Sequence, residues 1–175
     1  MNRRKLFLAI ILTCFLIMGC IEYEISPTEI SVSNGNSFTL DIVIDRCITI
    51  PVVGAQFCTS TDDVYGVGFD LNYDSSKIQF QSITLNGGVL QGDSVITAFR
   101  NSSTENGKLV VGISKNGQVS GEDVYGKIAT ITFQAVGTGS TEITFSDPHM
   151  LDSTGDPYVG LFNWAILKTG LVTVN

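Results

Sequence analysis

The sequence predicts an all-β protein: an antiparallel β-sandwich or jelly roll of about nine short strands. Three observations carry that prediction. From Ser26 onward, apolar residues recur with a period of two rather than 3.6. Asn-Gly pairs, which adopt positive φ readily and mark turns, punctuate the chain at 34–35, 86–87, 106–107 and 116–117. No stretch carries a convincing helical stripe.

Taken in order, the chain opens on a segment that belongs to export rather than to the fold. Arg3, Arg4 and Lys5 precede an apolar run of 13 residues, Leu6 to Met18, broken only by Thr13. A membrane-spanning helix needs about 20 such residues. A shorter run behind a basic start suits the core of a signal peptide. The run ends in Leu16-Ile17-Met18-Gly19-Cys20, which resembles the lipobox of secreted lipoproteins. Ile17, Gly19 and Cys20 fit that pattern, and Met18 is an uncommon occupant. The resemblance implies cleavage before Cys20, acylation of Cys20, and an exported protein held at the cell surface by its lipid. An ordinary signal peptide cut near Gly19, or an uncleaved anchor, is the alternative. Residues 1–19 are thus expected as signal peptide, 20–28 as a lipid-attached tether and 29–175 as one domain.

Charge excludes several partners. Charged residues make up 15% of the chain, with 10 Lys plus Arg against 17 Asp plus Glu and a net charge of −7. Removing residues 1–19 takes away three basic residues and no acidic ones, leaving a net charge of −10. Nucleic-acid binding, which requires clustered Lys and Arg, is excluded. Attraction to anionic lipid is equally poor, so membrane contact is expected through the N-terminal lipid only. With hydrophobic residues at 43%, the chain is too apolar for disorder.

The cysteines agree with export. Cys14 leaves with the leader and Cys20 carries the lipid, so Cys47 and Cys58 remain as an even pair for an oxidising compartment. A bridge between them closes a loop of about a dozen residues, worth roughly 3 kcal/mol by the chain-entropy estimate. A metal site is not expected: there is no CxxC, and His149 is the sole histidine.

The strands follow. Phe38, Leu40, Ile42 and Ile44 alternate with a polar side on which Val43 is the only apolar residue. Val67, Phe69, Leu71 and Tyr73 alternate with Gly66, Gly68, Asp70 and Asn72. Ala129, Ile131, Phe133 and Ala135, and Ile143 and Phe145, alternate with polar residues. Further breaks fall at Gly137-Thr138-Gly139 and from Ser153 to Pro157, and Ser146 to Met150 reads as a turn holding His149.

The catalytic inventory is nearly empty. There is no GxSxG, HExxH or P-loop. Asp62 with Asp63, and Glu122 with Asp123, read as solvated loop carboxylates rather than a glycosidase pair, which must span a cleft. Asp152 to Asp156 spaces oxygen ligands as a calcium loop does but lacks the EF-hand pattern, and reads as a plain turn. Asn101-Ser102-Ser103 is a glycosylation sequon.

The order of elements resembles a cohesin domain. Ile30 to Ile44 (Ile-Ser-Val-Ser-Asn-Gly-Asn-Ser-Phe-Thr-Leu-Asp-Ile-Val-Ile) resembles the family's opening, a strand, a Gly turn and an alternating strand. Val64 to Ile78 contains Tyr73, Asp74 and Ile78 where the family has Tyr-Asp-Pro and an aliphatic residue, with Ser75 in place of Pro and one residue more. Gly107 to Ser114 resembles the family's central strand, Gly126 to Ala135 the strand after it, and Gly170 to Val174 its Gly-x-Val-x-Val ending.

The resemblance implies a nine-stranded jelly roll that binds dockerins, small helical modules folded around calcium. It implies no enzyme and no cofactor of its own, the calcium residing on the dockerin. It places the binding face on the strand before Tyr73 and on later strands of the same sheet. Alternation then puts Gly66, Gly68, Asp70 and Asn72 outward on the first, and Val110, Gly112 and Ser114 outward on the central strand. Phe99, Arg100, Lys115 and Asn116 complete the candidate set, with Asp70, Asn72, Arg100, Lys115 and Asn116 as hydrogen-bonding rim residues. Well-studied members carry polar Asn and Asp near the start of the first strand, where this chain has Gly66 and Gly68. The segment Arg46 to Asp63 is also longer than the usual connection. A carbohydrate-binding module or adhesin is the alternative, resting on Tyr65, Tyr125, Tyr158, Phe162 and Trp164; a purely structural envelope lipoprotein is a third.

Overall fold

The computed structural model describes residues 19–50, 55–59, 61–91, 95–101, 107–158 and 164–175. The leader expected upstream lies outside them apart from Gly19. Thirteen strands form among the described residues: β1 (Gly19–Ser26), β2 (Glu29–Val32), β3 (Ser37–Ile50), β4 (Ala55–Thr59), β5 (Thr61–Asn72), β6 (Ile78–Thr84), β7 (Val95–Asn101), β8 (Lys108–Lys115), β9 (Glu122–Val124), β10 (Gly126–Ala135), β11 (Gly139–Asp152), β12 (Trp164–Leu167) and β13 (Gly170–Val174). No helix among them is long and apolar enough to cross a membrane.

One sheet has the order β12-β1-β3-β10-β6, with β4 also on β3. The other runs β2-β13-β11-β5-β8-β7, with β9 on β5. All pairs are antiparallel except β1–β12 and β2–β13. Those two parallel pairs close the sheets at their edges, where the expected all-antiparallel pattern gives way.

The inward sets of the alternation are the core. Leu40, Ile42 and Ile44 of β3, Val67, Phe69 and Leu71 of β5, Leu109, Val111 and Ile113 of β8, and Ile131 and Phe133 of β10 are each buried. Aromatic rings join the two sheets. Tyr23 of β1 meets Phe69 and Phe145 edge-on at centroid distances of 6.3 and 5.8 Å, and Phe133 meets Tyr73 at 5.1 Å. The Tyr23 hydroxyl also donates to the carbonyl of His149 on β11 at 3.1 Å.

Gly35, Gly87, Gly107 and Gly117, the four glycines of the Asn-Gly pairs, all have positive φ. Gly107 is constrained twice over. Its φ is 88°, and a Cβ there would lie 1.9 Å from the Tyr73 carbonyl oxygen.

Three expectations are corrected. Residues 20–28 are not a free tether: through Ser26 they form β1, which buries Ile21, Tyr23 and Ile25. The apolar alternation of that stretch is short, and its partner in β3 is some twenty residues away in sequence, so the pairing is invisible locally. The long connection from Arg46 to Asp63 is largely strand: β3 runs on to Ile50 and β4 folds back on it. Ser146 to Met150 is not a loop. β11 continues to Asp152 through a bulge between Ser146 and His149, where Asp147 has a φ of 52°.

At the end of β11, Asp152 Oδ1 accepts from the Thr154 and Asp156 amides and from the Thr154 hydroxyl, which makes the stretch the plain turn expected. Asp63 accepts from the Ser153 hydroxyl and the Gly121 amide, and Asp74 from the Ser76 amide. Hydrogen bonds from Ser153, Ser76 and Thr154 hold Asp63, Asp74 and Asp152 below the usual carboxylate range, whereas burial pushes Asp45 up. A carboxylate lowered in the folded state stabilises it above the unfolded pKa of about 3.9, and that stabilisation is lost as pH falls through the folded value. With three lowered groups against one raised, the melting temperature is expected to fall as pH drops from about 5 to about 3. A flat or rising melting curve series over that interval would contradict it.

Candidate functional site

The outer face of the β11-β5-β8-β7 sheet is built of cross-strand rows. His149, Gly68, Gly112 and Ala98 make one row, and Leu151, Gly66, Ser114 and Ile96 the next. Ser146, Asp70, Val110 and Arg100 make a third. In the first two rows the centre is glycine or serine and the ends are larger. The result is a shallow trough of about 300 Å³, lined by Gly66, Gly68, Gly112, Ile96, Leu151 and His149 among others. Ile96 is 54% exposed and Leu151 41%. Isolated exposed apolar residues are ordinary, but two facing each other across a glycine floor form a patch.

The expected outward sets of β5 and β8 fall on this face as read. Their polar members are engaged within the chain. Asp70, buried, pairs with Lys108 at 3.0 Å. The Asn72 amide donates to Ser146 Oγ at 2.8 Å, and Ser114 Oγ donates to the Lys115 carbonyl at 3.0 Å. Val110 is half-buried beside them.

Other candidates fall elsewhere. Phe99 is not on this face. In β7 the residues level with Gly112 and Val110 are Ala98 and Arg100, so Phe99 sits opposite the inward Val111 and rests its ring against Phe80 of the other sheet at 5.4 Å. Arg100 occupies the face by its backbone position. Lys115 shares the inward parity of Ile113, and its ammonium pairs with Glu122 of β9. Asn116 is exposed in the turn beyond β8.

Sequence reasoning missed Ile96, Ala98, His149 and Leu151. β7 is apolar on both sides, with Ile96 and Phe99 of opposite parity, so alternation cannot choose its outward set. The bulge in β11 breaks the alternation just before His149 and Leu151. His149 Nε2 stands 3.0 Å from Asp147 Oδ1, both well exposed.

The carbohydrate reading needs exposed aromatic rings on one surface. Tyr65 and Tyr158 direct their hydroxyls to the carbonyls of Gly117 and Asp62 and do not line this trough, and Tyr125 is exposed after β9. Phe162 and the Trp164 side chain lie outside the described residues. Among the described residues no cluster of His, Cys, Asp and Glu is placed to hold a metal.

A sandwich that presents a flat sheet face with a shallow apolar trough has the build of a binding module. The cohesin domain family model matches residues 28–157, and the chain belongs to that family. No curated protein sequence matches it. Solved structures do. CaCohA2 from Clostridium acetobutylicum is 17% identical, with a TM-score of 0.64 over 90% of this chain and 92% of that one. The sixth cohesin of scaffoldin B from Acetivibrio cellulolyticus, solved in complex with a mutant Cel5 dockerin, is 17% identical, with a TM-score of 0.63 over 90% and 99%. A non-cellulosomal cohesin from the archaeon Archaeoglobus fulgidus is 14% identical, with a TM-score of 0.57 over 90% and 91%. At these identities the likeness is one of fold.

Proposed function

We propose that this chain is a non-catalytic interaction module that binds a dockerin through the outer face of the β11-β5-β8-β7 sheet. The glycine-floored trough on that face is the observation that carries the reading: it is a surface built for close approach by another protein. Membership of the cohesin family supports the choice of partner. The calcium belongs to the dockerin, and the chain supplies the platform. The test is titration calorimetry of the chain from Gly19 onward against a panel of recombinant dockerins, in calcium and in EDTA. Saturable binding in calcium alone is the expected result. Absence of calcium-dependent binding across the panel, with polysaccharide bound instead, overturns it in favour of the carbohydrate reading.

Export and lipid attachment at Cys20 complete the proposal, so that a bound dockerin is held at the cell surface. A disulfide between Cys47 and Cys58 belongs to the same reading. Cys47 is buried and lies opposite Cys58 across β3–β4, and opposite Cys20 across β1–β3. Only one bridge to Cys47 can form, and acylation of Cys20 leaves Cys58 as its partner. Non-reducing peptide mapping is expected to link the Cys47 and Cys58 peptides and to find acyl mass on Cys20. Reduction should lower the melting temperature by roughly 6–12 °C. A Cys20–Cys47 link would overturn both the bridge and the lipid.

A further inference from the structure

We infer that Gly66, Gly68 and Gly112 keep open a socket for one bulky aliphatic or aromatic side chain projecting from a helix of the dockerin; the inference rests on the dockerin reading above. Glycine in a strand interior is destabilising relative to alanine, so three of them at the centre of one face call for a reason. The chain itself does not supply one. None of the three has positive φ. A Cβ at Gly66 would meet the Ile113 carbonyl and Ser114 Oγ at 3.6 Å, one at Gly68 the Val111 carbonyl at 3.6 Å, and one at Gly112 the Ala98 carbonyl at 3.9 Å. All are ordinary contacts. Gly121 shows the opposite case, since a Cβ there would fall 2.2 Å from the Asp63 carbonyl carbon. Packing within the chain requires glycine at 107 and 121; at 66, 68 and 112 it leaves room for something from outside.

What fits that room follows from its walls. Ile96, Ala98 and Leu151 are apolar, the floor is backbone, and the inward Val67 and Ile113 underlie it. A cavity of about 150 Å³ lined by apolar side chains admits benzene, and this trough offers about 300 Å³. Among the described residues around it, Asp70 pairs with Lys108 and Lys115 with Glu122, and His149 Nε2 stands 3.0 Å from Asp147 Oδ1. A charged occupant would find Asp70 and Lys115 already paired, and a neutral apolar one needs no such partner. A sugar would find one hydroxyl, Ser114, already donating to the Lys115 carbonyl.

Two measurements separate the socket from the partner. In the first, the labelled chain is titrated with N-acetyl-leucinamide and, as control, N-acetyl-alaninamide, following amide shifts by NMR. Saturable shifts at Gly66, Gly68, Gly112, Ile96 and Leu151 are expected with the leucine compound alone, and their loss in Gly112→Leu, which fills the socket from within. In the second, a dockerin bound in calcium is tested against Gly112→Ala and Gly112→Leu, with melting curves to verify that both variants fold. Affinity losses of about 10-fold and at least about 100-fold are expected. A dockerin that binds Gly112→Leu as tightly as wild type, with no leucinamide shifts at the trough, overturns the socket and leaves the dockerin reading standing. Leucinamide shifts at the trough with no dockerin bound in calcium overturn the dockerin as occupant.

Discussion

Gly112→Arg is expected to abolish dockerin binding and to leave the melting temperature unchanged or slightly raised. Position 112 lies in the middle of the row His149, Gly68, Gly112 and Ala98, on the outward side of a central strand. A Cβ added there meets nothing nearer than the Ala98 carbonyl at 3.9 Å, so the backbone accepts the substitution. Replacing an extended glycine also removes conformational freedom from the unfolded chain, which acts in favour of the fold. The guanidinium, by contrast, stands on the floor where the partner must approach, and a charge trapped at a closed apolar contact is costly. A loss of at least about 1,000-fold is expected, equivalent to about 4 kcal/mol. Calorimetry and thermal melting on the same preparation give both numbers. Unchanged affinity at position 112 and in Val110→Arg, one row away, would remove the face from the proposal.

Phe133→Ala should unfold the sandwich at markedly lower denaturant while altering no surface. Phe133 is fully buried in β10 and lies at the junction of four rings, stacking on Phe38 at 5.9 Å and meeting Tyr73 at 5.1 Å and Phe80 at 6.3 Å. Phe38 and Phe80 belong to neighbouring strands of the same sheet, and Tyr73 directly follows β5 of the other. Truncation removes the ring that joins the sheets at this end and leaves a cavity that well-packed strands cannot collapse around. The cost expected is about 3–5 kcal/mol, which lowers the melting temperature by roughly 10 °C or more. A change under about 1 kcal/mol in urea titration would show that the ring cluster does not carry the inter-sheet packing.

The trough was legible in part. Alternation placed Gly66, Gly68, Val110, Gly112 and Ser114 outward because β5 and β8 are central strands with a strongly apolar inner side, so their parity is unambiguous. The same rule cannot place Phe99. An edge strand touches a partner on one side only and carries apolar residues of both parities, so local pattern cannot say which side faces the core. Lys115 has inward parity, and the rim role expected of it gives way because its long side chain turns to the charge near it, Glu122. His149 and Leu151 were hidden by the bulge at Asp147, which adds a residue and resets the alternation after it.

The sequence by itself determined what is local or statistical in this protein: the all-β class, the four Asn-Gly turns with their positive-φ glycines, the inward faces of the central strands, and the serial motifs of the cohesin family. Tertiary structure decided which strands lie side by side. It drew residues 19–26 into the six-stranded sheet, folded β4 onto β3, and set Ile96 and Leu151 on opposite banks of a glycine floor. The physical reason is range. A turn or an alternating strand is specified by neighbours a few residues apart, whereas the trough exists because four strands drawn from residues 61–152 hydrogen-bond in one register, and that register is set by the burial of the whole core at once.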